Sequence, residues 1–178
     1  MRDTLSAALL AALLTAGCSA GDATAPGAAS LREVPMHDNY EATGGIAPGP
    51  SADCPLVTTL SGGGEGTHVG KYTITNSHCD NPTTGEFFNG SFTKTTANGD
   101  QLFGTYSGTF TATGSSGSVV TFAINGDLIF TGGTGKFAGA TGQQTLTGTQ
   151  TTDFGQAGFP TSITLTLDGV ISSVGSNP

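Results

Sequence analysis

Tryptophan is absent from this chain of 178 residues, charged residues make up only 10% of it, and lysine and arginine together number five. Each shortage excludes something. Without tryptophan there is little to stack on a sugar face. From Cys54 onward three lysines stand against seven carboxylates, thinly spread, so no basic stripe exists to grip a nucleic acid. No acidic block exists either, and the formal net charge of -8 speaks mainly for solubility. Apolar runs are short: the longest uncharged Leu/Ala-rich stretch, Leu5 to Leu14, is too brief to cross a bilayer as a permanent helix. From Pro55 to the end no helical periodicity of useful length appears.

What is present begins with an export pattern. Arg2 precedes the apolar run, and Thr15-Ala16-Gly17-Cys18 follows it. Small residues directly before Cys18 resemble a bacterial lipobox, whose cysteine becomes the lipidated first residue of the mature protein. With Ser19 and not aspartate after it, the expected location is the cell envelope, as an outer-membrane lipoprotein partnered by the membrane through Cys18. The alternative is an ordinary signal peptide cut near Ala20, with Cys18 discarded. Residues 19–53 are rich in Ala, Gly, Pro and Ser and lack apolar periodicity, so they read as a disordered tether. Met36, His37 and Tyr40 within it read as linker residues or a small docking motif. The expected organisation is a lipoprotein-type signal peptide over 1–17, a lipidated cysteine and linker over 18–53, and a β-barrel domain over 54–178.

Cys54 and Cys79 remain, and in an exported chain disulfides persist. Joining them closes a loop of about 25 residues, a constraint of roughly 3 kcal/mol in the chain-entropy model. The bridge would staple the domain's first strand to a loop over 76–82. A metal site using Cys79, His78, Asp80 and His68 is the competing reading, without any paired metal-ligand spacing to support it. No metal and no cofactor is expected.

The domain itself alternates Thr, Gly, Phe and Val, the pattern of half-buried strands. Strands are expected at about 55–61, 66–76, 86–97, 101–113, 118–124, 127–131, 143–151 and 161–172. Asn98-Gly99 is a two-residue hairpin signal in which both positions want positive φ. Asn125-Gly126 marks a second hairpin or a bulge in one longer strand. One face of 102–112 carries Leu102, Gly104, Tyr106, Gly108, Phe110 and Ala112; one face of 86–94 carries Glu86, Phe88, Gly90, Phe92 and Lys94. Aromatics mixed with glycines inside and threonines outside suit a small closed barrel, all-β and antiparallel with roughly eight strands.

The segment Gly132-Gly133-Thr134-Gly135-Lys136-Phe137-Ala138-Gly139-Ala140-Thr141-Gly142 is not a nucleotide loop, because a strand pattern and no helix follows it. It resembles the GGTG-x-F-x-G-x-x-G corner of the allene oxide cyclase-like barrels, a superfamily that includes dirigent proteins and many bacterial exported proteins. Glu65 to Tyr72 and Ala97 to Leu102 are similar to recurrent pieces of the bacterial members. The resemblance implies an eight-stranded antiparallel barrel with Gly133, Gly135, Phe137 and Gly139 as a structural corner. Phe137 would plug one barrel end, and Gly135 and Gly139 would adopt conformations closed to other residues. No catalytic residue of the family can be placed on a matching position.

Candidate lumen polar residues are His68, Tyr72, Glu86 and Tyr106. They bind or protonate a small molecule in an apolar lumen, or else the charged ones sit at wet rims while the tyrosines fill core. The leading functional expectation is an exported barrel of uncertain enzymatic status that binds a small apolar molecule. A structural or adhesive surface protein with a filled barrel is the alternative, and a cyclase or isomerase, by family analogy alone, the third.

Overall fold

Alternating threonine and apolar residues produce eight strands in the computed structural model, which describes residues 32–172. They are β1 (Glu33–Ser51), β2 (Cys54–Gly66), β3 (Gly70–Asn81), β4 (Glu86–Thr96), β5 (Gln101–Ser116), β6 (Val119–Gly133), β7 (Gly142–Asp153) and β8 (Thr161–Ser172). Each is antiparallel to the next, and β1 also pairs with β8, so the sheet closes into a barrel with no free lateral edge along its body. The signal-peptide reading and Cys18 lie outside the described residues.

The tether reading fails for the residues from Glu33 to Ser51, which form the strand that closes the barrel. Met36, Asp38, Tyr40 and Ala42 point inward, and His37, Asn39 and Glu41 outward. That period of two was hidden by Asp38, a charge in an apolar row, and by flanking glycines and prolines. Met36 and Tyr40 are therefore core, not a docking motif.

The strand count reaches eight by a different partition. The expected strands at 118–124 and 127–131 are one strand, β6, with Asn125 and Gly126 in regular register opposite Thr109 and Gly108. Gly126 and Gly108 serve instead to admit the Phe87 ring, whose Cζ would lie 2.9 and 2.5 Å from a Cβ at those positions. The supposed loop at 76–82 is largely the end of β3. At the β4–β5 hairpin only Gly99 has positive φ, at 88°, and the Gly99 N–H donates to the Thr96 carbonyl.

A bulge in β4 resets its faces. Phe87 pairs with Gly108 but Gly90 with Tyr106, so β4 spends three residues where β5 spends two. Asn89, at φ 52°, absorbs the kink. Phe87, Gly90, Phe92, Lys94 and Thr96 then face inward, whereas Glu86 is exposed and Phe88 half-exposed.

Phe137 closes one end of the barrel. It lies in a short 3-10 turn, Gly135–Phe137, and is fully buried with Leu102, Ile171 and Met36, beside Val69 and Ala140. Gly135 (φ 55°) and Gly139 (φ 71°) occupy the left-handed region, and a Cβ on Gly135 would sit 1.8 Å from the Asp100 carboxylate that packs across the corner.

Just inside that closed end, Lys94 is fully buried and its Nζ donates to the Asp38 carboxylate. The Tyr72, Phe92 and Phe130 rings lie 4.8, 5.8 and 5.9 Å from the ammonium. Burial pulls the Lys94 pKa below its ordinary value, and Asp38 pushes back up. Such a pair contributes little net stability, but breaking it strands a charge in apolar surroundings. Asp38→Asn should therefore cost about 3–5 kcal/mol in denaturant unfolding, whereas Asp38→Leu with Lys94→Met should be neutral or stabilising. Equal, small effects of both variants would show that β1 does not carry Asp38 into the lumen.

Candidate functional site

The open end is where β3 finishes, and the inward row Tyr72, Ile74, Asn76, His78, Asp80 leads to it. Regular alternation on β3 puts His78 and Asp80 on the lumen side, while Cys79 between them faces the other way. Cys79 bonds Cys54 at the start of β2, with Cα atoms 5.2 Å apart. The bridge ties the two strands that carry Thr58 and Asp80, so it braces this end of the barrel. The alternative metal set of Cys79, His78, Asp80 and His68 does not converge: Cys79 is in the disulfide, and His68 lies beyond the far end of β3.

His78 and Asp80 belong to a chain of polar contacts across the lumen. The Thr58 hydroxyl donates to Asp80 Oδ2 at 2.5 Å. Asp80 Oδ1 is 3.1 Å from His78 Nε2, and His78 Nδ1 is 2.7 Å from the Tyr106 hydroxyl. The carboxylate has only lone pairs to offer, so Nε2 carries a proton, and in the neutral imidazole Nδ1 accepts from the phenol. Tyr106 has its place because Gly90 sits opposite: a Cβ there would be 2.7 Å from the ring. Nearby, Asn76 Nδ2 donates to the Tyr40 hydroxyl at 2.6 Å, while Asn76 Oδ1 is buried without a partner.

These groups border a cavity of about 30 Å³, whose apolar wall includes Phe87, Phe110, Ile124, Leu146 and Leu165. Tyr106, Phe110 and Gln150 in the wall are only half-buried, so water reaches it from the mouth. A deeper cavity, also about 30 Å³, shares Tyr40, Asn76 and Tyr106 and extends to Lys94. Each volume is roughly one water molecule's share of liquid, far below the ~300–1,000 Å³ of an ordinary ligand pocket. The interior is thus filled by the protein's own side chains, and half-buried ones border it at the mouth. There Phe110, Phe122, Phe154 and Phe159 form a continuous edge-to-face and tilted row, with centroids 5.6, 6.4 and 5.4 Å apart. Phe154 is 43% exposed.

Of the four expected lumen residues, the structure brings two inside. Tyr72 lies against Lys94 near the closed end and Tyr106 at the mouth, so they do not share a site. His68 is exposed in the turn between β2 and β3, its Nε2 3.0 Å from the Pro35 carbonyl. Glu86 is exposed because the β4 bulge inverts its side. Four residues were missed: Asp38, taken for linker; Asn76, placed in a loop; and His78 and Asp80, weighed only as metal ligands. A strand running two residues past His78 would have revealed the last two by alternation. Comparison with protein-family models, curated proteins and solved structures finds no match to this chain.

The chain has three tyrosines, and all lie in the lumen. Burial raises each phenol pKa: Tyr40 to about 12, Tyr72 and Tyr106 also well above the usual 10. Because the folded values exceed the unfolded one, this contribution to stability is complete below pH 10 and lost as pH rises through the folded values. Tyrosinate absorbance should stay near zero at pH 10 to 11 in the folded chain and appear only with alkaline unfolding. One equivalent titrating near pH 10 while the fold persists would show a tyrosine open to water.

Proposed function

We propose that this chain is an exported, lipid-anchored β-barrel protein, related to the allene oxide cyclase-like and dirigent-like barrels, that holds a small apolar or aromatic molecule at its open mouth. The observation that carries the reading is the asymmetry of the two ends. One is stoppered by Phe137. The other presents a row of aromatic rings beside a small cleft with an apolar wall and a few polar groups, the combination that small-molecule sites favour. Family membership is supported by the closed eight-strand meander and the glycine-rich corner that ends in a buried phenylalanine. Export is supported by the Arg2 to Cys18 pattern and by a disulfide of the kind that persists outside the reducing cytosol. The lipid on Cys18 would supply membrane attachment without any spanning helix.

The small interior volume favours a second reading, a filled barrel whose task is structural or adhesive. The two are separated by what the protein carries. Full-length chain purified from its native envelope, extracted with organic solvent and compared by mass spectrometry with a mock preparation, should release a stoichiometric small molecule. An empty extract, together with no uptake of an uncharged hydrophobic dye, would overturn the binding reading in favour of the structural one.

A further inference from the structure

The polar chain at the mouth has a direction. It starts on a buried hydroxyl, Thr58, runs through a buried carboxylate and a buried imidazole, and ends on a half-buried phenol at the cavity wall. Thr58 donates to Asp80, and from Asp80 outward each link points a proton acceptor toward the next donor. This is the connectivity by which a carboxylate and an imidazole turn a hydroxyl into a base: the carboxylate fixes the tautomer and supports the imidazolium that forms. Here the terminal hydroxyl is Tyr106, and its oxygen keeps a lone pair for a bound molecule once its own proton is committed to His78.

We propose that the mouth is a proton-transfer site in which Tyr106 is the catalytic residue, His78 and Asp80 are positioning residues, and the substrate is a small uncharged carbonyl compound bearing an aromatic ring. This rests on the binding reading above. The substrate class follows from the wall. Among the described residues its one charge is the Asp80 carboxylate and no cation lines the cleft, so an anionic ligand is disfavoured. An aromatic ring finds a partner in Phe110 of the wall, which Phe122 supports edge-on with its centroid 5.6 Å away. Gln150 donates one N–H to Thr152 at 3.2 Å and has a second for a carbonyl oxygen.

The step balances without a co-reactant. The C–H bond beside the carbonyl breaks, and its electron pair becomes the new C=C bond while the carbonyl π pair moves to oxygen. The departing proton goes to the Tyr106 oxygen as the phenol's proton passes to His78 Nδ1, leaving an imidazolium against Asp80. Return of a proton to carbon or oxygen gives ketone or enol and restores the relay. Burial holds the resting phenol protonated, so Tyr106 acts only through the imidazole that accepts its proton.

Phenylacetone, uncharged and enolisable, is the probe. With the full chain in D2O, loss of its methylene proton NMR signal should run at least tenfold faster than in buffer. Tyr106→Phe should return the rate to background while phenylacetone still shifts the Phe110 and Phe122 ring signals. Asp80→Asn, checked for an unchanged melting transition, should lower the rate at saturation more than tenfold with little change in half-saturating concentration. Phenylacetone that binds with background exchange, or exchange that survives Tyr106→Phe, would overturn the proton-transfer site and leave the binding reading standing. Failure of phenylacetone to bind would overturn the assigned substrate class, and the binding reading would then be judged by the solvent extract and dye uptake.

Discussion

Closure depends on β1, which is hydrogen-bonded to β2 on one side and joins the two ends of the meander through β8 on the other. Without it the other seven strands form an open sheet, and everything inside loses a wall. β1 also carries the groups that organise the interior: Asp38 compensates Lys94, Tyr40 engages Asn76, and Met36 packs at the closed end. A single strand thus supplies the seam, the counter-ion of the one fully buried ammonium, and part of the floor beneath the mouth.

The second constraint is volume. A small closed barrel has room for inward side chains only if large and absent ones alternate around it. The pairs are specific: Phe87 lies over Gly108 and Gly126, Phe92 over Gly104, and Tyr106 over Gly90. The β4 bulge is what brings both Phe87 and Phe92 inward although they are five residues apart, an odd separation that plain alternation would split between faces. The resulting aromatic packing fills the lumen, leaving water-sized cavities among the described residues. It also aligns Tyr106 with His78, whose rings meet edge-on at 5.5 Å.

Strand content, the barrel class and the glycine corner could be read from the sequence because period-two patterning and glycine placement are local signals, whereas the strand that closes the barrel, β1, was read as a tether. What could not be read was tertiary. Asp38 looks like a linker charge until Lys94, 56 residues away, neutralises it. Glu86 looks inward until a bulge marked only by Asn89 shifts the parity. His78 and Asp80 drew attention as metal ligands beside Cys79, whereas the pleat separates them from it onto opposite faces. Tyr106 was identifiable because its strand alternates regularly up to Ala112; its partner on β3 was not, because the end of that strand resembled a loop rich in Asn, Ser and Asp.

A barrel sealed at one end and open at the other is the claim on which the functional account stands. Methyl NMR of the full chain during addition of a small uncharged aromatic compound tests it most directly. The account predicts shifts confined to mouth-lining methyls, those of Ile124, Leu146, Ile163 and Leu165, with Leu102 and Ile171 beside Phe137 unmoved. Shifts at Leu102 and Ile171, or none at the mouth, would contradict it.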